Sequence, residues 1–136
     1  MKFHFPAIAT AFRERQIVRQ PIPEVTEKDV ARIVRRDFPE EEHEAAIGVL
    51  REYAQGELLK ECSRVQLAAL KLAQGNFRCL RQHIDNAQRD YRDVLAAAEY
   101  PEYTRVPISQ ISHLSRKEKR RIVNSDWEQY SKWLQR

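Results

Sequence analysis

Gly75 and Asn76 stand directly between two long stretches of helical apolar periodicity, and that junction constrains the fold more than any other feature of the chain. A glycine ends one helix in the left-handed conformation, and an asparagine accepts hydrogen bonds from the first turn of the next. No residue is left over, so the two helices are joined by a very tight turn. Before it, Leu58, Leu59, Cys62, Val65, Ala69, Leu70, Leu72 and Ala73 cover more than half a helix circumference, the pattern of a central, buried helix. Ser63 with Gln66 matches a capping box, which predicts a fresh helix start at Arg64. After the turn, Leu80, Ile84, Ala87, Tyr91, Val94, Leu95 and Ala98 align along a helix from Phe77 to about Glu99, roughly 33 Å long, that Pro101 stops.

Upstream, Thr26 is a hydroxyl N-cap with Glu27 and Asp29 in the first turn, where the helix dipole favours acids. Val30, Ile33, Val34 and Phe38 form its stripe, and Pro39 ends it. A second helix opens on Glu40, Glu41 and Glu42 and runs to about Ala54, with Ala46, Ile47, Leu50 and Tyr53 inward, before Gly56 breaks the chain. Residues 1–25, with Pro6, Pro21 and Pro23, read as an extended arm or one short helix around Ala7 to Val18. Residues 100–114 read as irregular. Capping boxes at Ser115/Glu118 and Ser125/Glu128 predict two helix starts beyond them, the last helix carrying Trp127, Tyr130 and Leu134. The expected fold is therefore all-α, a single-domain bundle of about five to six helices: an N-terminal arm (1–25), a four-helix core (26–101), and an irregular segment with C-terminal basic and aromatic helices packing on that core (102–136).

At 136 residues, with 42% apolar and 32% charged side chains, the chain can bury one ordinary core. Cys62 and Cys79 are sixteen residues apart in helical segments, which argues against a disulfide framework. No apolar run is long enough for a membrane span and no signal-peptide pattern follows Lys2, so a cytoplasmic protein is expected. Charge is divided unevenly. Residues 26–56 hold 5 basic and 8 acidic side chains, residues 102–136 hold 8 basic and 4 acidic.

From Thr26 to Pro101, the order of elements and the phrases RVQLAALKLA (from Arg64) and DYRDVLAAAEYP (from Asp90) resemble a group of short uncharacterised bacterial proteins. The stretch DWEQY from Asp126 is similar to their C-terminal end. These are helix-packing phrases, so the resemblance implies a helical fold and carries no activity.

Four polar residues of the long helix, Cys79, His83, Asn86 and Asp90, recur at i, i+4, i+7 and i+11 and would share one groove edge. A thiol and an imidazole one turn apart could pair as nucleophile and base, or join Asp90 as metal ligands. Yet the spacing matches no zinc or cysteine-enzyme motif, no Gly-rich loop accompanies it, and interhelical hydrogen bonds account for such residues more simply. His43 among its glutamates is expected to lie half-packed at the edge of its helix, and Asp90 with Asp93 would form surface ion pairs with Arg89 and Arg92. Arg116, Lys117, Lys119, Arg120 and Arg121 crowd a helix start, where the dipole disfavours cations, with His113, Trp127, Tyr130 and Trp133 nearby as aromatic surface.

No catalytic residue, metal or cofactor is implied. The expected function is a noncatalytic helical protein-interaction or regulatory protein that pairs with itself or another chain. Two alternatives remain open at this point: nucleic-acid binding through residues 116–121, and a metal or thiol site on the helix from Phe77 to Glu99.

Overall fold

The computed structural model describes residues 19–53 and 61–136, so the expected arm or helix within 1–18 and the break at Gly56 lie outside the described residues. The fold is all-α, with no strand among the described residues. Seven α-helices are described: α1 (Glu27–Asp37), α2 (His43–Tyr53), α3 (Cys62–Ala73), α4 (Phe77–Glu99), α5 (Pro101–Arg105), α6 (Ile108–Ile111) and α7 (Arg116–Gln135), with a 3-10 turn at Glu40–Glu42. None of them is long and apolar enough to cross a membrane. Helices α1 to α4 belong to one compact unit, Pro23–Glu99, and α5 to α7 to another, Tyr100–Gln135, which also takes in residues 19–22.

In the Pro23–Glu99 unit, Thr26 starts α1 as expected. Its hydroxyl accepts from the Lys28 N–H at 3.3 Å and its own N–H donates to Asp29 at 3.0 Å, a reciprocal capping box. Phe38 leaves the helix in an extended conformation, as a residue before proline must, and the acids of Glu40–Glu42 wind one 3-10 turn ahead of α2. His43 donates through Nε2 to the Phe38 carbonyl at 2.7 Å, tying the start of α2 to the end of α1.

The hairpin of α3 and α4 is the heart of this unit. Val65 to Leu70 are buried on every side, as the wide apolar face of α3 demands. Gln74 (φ 51°) and Gly75 (φ 77°) take the left-handed conformation, and Asn76 Oδ1 accepts from the Cys79 N–H at 3.0 Å to open α4. Glycine is required twice over at 75: a Cβ there would stand 2.6 Å from the Asp37 carbonyl oxygen of α1. The open end of the hairpin is closed by Arg64, whose Nε and Nη2 bond the Glu99 carboxylate at 2.8 and 2.6 Å while Nη1 reaches Glu61 at 3.0 Å.

Three expectations are corrected within this unit. The Ser63/Gln66 capping box does not form; α3 begins at Cys62, two residues before the expected start at Arg64, and the Gln66 amide instead donates to the buried Leu50 carbonyl at 2.8 Å. The inward face of α2 includes Val49 and leaves Ile47 half-buried. Helix α4 is not one unbroken rod, because Asp90 takes extended angles (φ −154°, ψ 98°). Its carboxylate accepts from the Arg92 N–H at 3.1 Å and so caps the second half of the helix.

The segment expected to be irregular in the Tyr100–Gln135 unit holds two short helices, α5 and α6. Pro101 both stops α4 and opens α5, since proline is tolerated at a first helical position. The Ser115/Glu118 box forms at the start of α7, with bonds of 3.1 and 3.3 Å. No second helix starts at Ser125, because α7 runs continuously to Gln135 with Ile122, Val123, Asp126, Tyr130 and Trp133 along its buried side. Asp126 lies within that stripe and accepts from the N–H groups of Glu102 and Tyr103 at 2.8 and 3.0 Å, capping α5 from another helix. Helix α5 has no side-chain cap of its own.

Candidate functional site

The break at Asp90 sits in an open groove of about 440 Å³ that runs along one flank of α4. Three of the four expected polar residues line it: His83, Asn86 and Asp90. Arg89 and Asp93 join them, over an apolar floor of Leu72, Val94 and Ala97. Most of this polarity is internally satisfied. Asn86 Oδ1 accepts from Arg89 Nη2 at 2.7 Å, and Asp90 pairs with Arg92, which holds its carboxyl below the usual carboxylate range. His83 is half-buried, makes no hydrogen bond to a described residue, and is kept below the ordinary imidazole value by burial, so it is neutral at pH 7.

Cys79 does not line the groove. Its N–H is spent on the Asn76 cap, and neither a thiol–imidazole bond to His83 nor a third ligand accompanies it. No group of three His, Cys, Asp or Glu side chains that could hold a metal exists among the described residues. The groove thus takes in His83 and Asp90 of that set but not Cys79. Elsewhere in the same unit, burial pushes Tyr53 up to about 12 and the Cys62 thiol above its ordinary value, the opposite of the shift that activates a nucleophile.

The second candidate is the outer face of α7. With Ile122, Asp126 and Trp133 turned inward, the helical period of 3.6 residues brings Arg116, Lys117, Arg120, Asn124 and Trp127 into an arc of roughly 100° on the other side. All five are exposed, Trp127 by 38%. Lys119 is half-buried and Arg121 bonds Glu102 at 3.3 Å, so these two cations of the run serve differently. Tyr130 and Trp133 leave the aromatic surface as well: both are buried, with ring centres 5.5 Å apart.

Comparison with family models, with curated proteins and with solved structures finds no match to this chain. The candidates therefore rest on chemistry alone. Sequence periodicity found the groove because residues at i, i+4 and i+7 share a helix flank wherever the helix packs. It did not assign Arg89 and Asp93 to the groove, which they also line. Asp126 was invisible as a cap, because its partners are backbone groups 23 and 24 residues away.

Proposed function

We propose that the chain is a noncatalytic helical interaction protein that engages its partner, a second copy or another macromolecule, through the outer face of α7. The carrying observation is an exposed tryptophan beside exposed cations on a helix whose buried stripe is Ile122, Val123, Asp126, Tyr130 and Trp133. A partner would cover the exposed part of that ring, 38% of the residue, and the neighbouring cations set the sign of that partner. The groove on α4 sets the half-buried His83 beside Asn86, bonded by Arg89, and Asp90, bonded by Arg92.

Sedimentation velocity of the full chain tests the proposal, run alone, with polyglutamate and with a short oligonucleotide. Association is expected in at least one case and is lost when Lys117, Arg120 and Trp127 are replaced together by Ala, Ala and Ser. A chain that stays monomeric and binds neither polyanion sinks the proposal.

A further inference from the structure

The acids of the Tyr100–Gln135 unit are all engaged. Glu118 accepts from the Ser115 N–H, Asp126 from the first turn of α5, Glu102 from Arg121, and Glu128 from Lys132 at 3.0 Å. Lys117 and Arg120, by contrast, make no ion pair among the described residues and stand exposed in the first two turns of α7. Cations there are disfavoured by the helix dipole, and no carboxylate among the described residues pairs with these two. Along the same face, ten residues or roughly 15 Å beyond Lys117, lies the exposed ring of Trp127, with the Asn124 amide between.

Resting on the interaction reading above, the geometry points to single-stranded nucleic acid as the partner of this face, its phosphates on Lys117 and Arg120 and one base stacked on Trp127. A single strand presents anionic groups and flat aromatic surfaces in alternation, which is the alternation α7 offers in reverse. A duplex offers the same phosphates but hides its base faces, leaving Trp127 unused. An acidic peptide satisfies the cations and offers no ring to stack on the indole.

Fluorescence anisotropy of labelled oligothymidylate and of a duplex of equal length, titrated with the full chain across a salt series, tests this. The single strand is expected to bind more tightly than the duplex, with log affinity falling linearly in log salt. Lys117→Ala with Arg120→Ala should flatten that slope by about 1.4, from roughly 0.7 per phosphate contact. Trp127→Ala should weaken binding about tenfold at unchanged slope, and Trp127→Phe should restore most of it. All these positions are exposed, and far-UV circular dichroism confirms that the variants remain folded. Equal affinity for duplex and single strand with Trp127→Ala neutral overturns the inference. So does binding of polyglutamate alone, which leaves the interaction reading standing, whereas binding of no polyanion by a monomeric chain ends both.

Discussion

Two carboxylates are buried among the described residues, one in each compact unit, and they are satisfied in different ways. Glu99, at the end of α4, meets a cation: Arg64 grips it with two bonds and closes the hairpin at the end opposite the Gly75 turn. Asp126, in mid-α7, meets backbone: two N–H groups at the start of α5. Burial pushes the Glu99 carboxyl up against the pull of Arg64, while the guanidinium, also opposed by burial, is held above its ordinary value by Glu99 and Glu61. An ion pair can be removed from both sides; a backbone N–H stays whatever the side chain, proline excepted. The two arrangements should therefore fail differently when altered.

Arg64→Ala should have the largest effect, a loss of about 3 kcal/mol by urea denaturation, because it strands a carboxylate that water barely reaches. The deficit should grow with pH. Without Arg64 the folded Glu99 titrates above its unfolded value, so the folded state holds the proton longer and loses ground as pH rises through that window. Replacing both partners, Arg64→Met with Glu99→Leu, should recover most of the loss, since apolar residues of similar volume can substitute for a buried pair. If the double variant is as unstable as the single one, the clasp is not an exchangeable ion pair and the contrast with Asp126 collapses.

Asp126→Ala should cost about 2 kcal/mol, with faster amide exchange at Glu102 and Tyr103, the two donors it strands. Asp126→Asn, which keeps one acceptor oxygen, should recover part of this. Unchanged exchange at both amides would show that α5 does not depend on the distant cap.

The smallest effect belongs to His83. Its folded value lies below its unfolded one, so its contribution to stability is complete above the ordinary imidazole range and is lost as pH falls through it, when the unfolded chain binds the proton first. His83→Gln should remove this part of the pH slope in denaturation midpoints between about pH 7 and 5. A histidine signal titrating at the ordinary value by NMR would contradict the burial of the ring.

Much of the core was legible because its signals are local. Thr26, Pro39, Gly75 and Asn76 act on neighbours within four residues, and the stripes of α1, α3 and α4 follow from helical period alone. The capping boxes show where this stops. Ser115/Glu118 forms at the start of α7, whereas Ser63 already lies in the first turn of α3 and Ser125/Glu128 falls inside a helix that runs on unbroken. Gln66 serves Leu50 instead, and the Ser125 helix cannot restart because Ile122, Val123, Asp126 and Tyr130 form one buried stripe across it.

The candidate surfaces divide along the same line. His83, Asn86 and Asp90 on one flank, and cations crowding one helix start, can be read from spacing. Which aromatic faces water cannot: Trp127, Tyr130 and Trp133 follow one another at intervals of three residues, and only the docking of α7 buries the last two and leaves the first exposed. By itself the sequence determined the helices of the Pro23–Glu99 unit, the tight turn and the uneven charge, since these depend on residues close along the chain. The tertiary structure decided the break at Asp90, the Arg64–Glu99 clasp and the Asp126 cap. It thereby decided which charges stay uncompensated, because partners tens of residues apart meet only once the helices have packed.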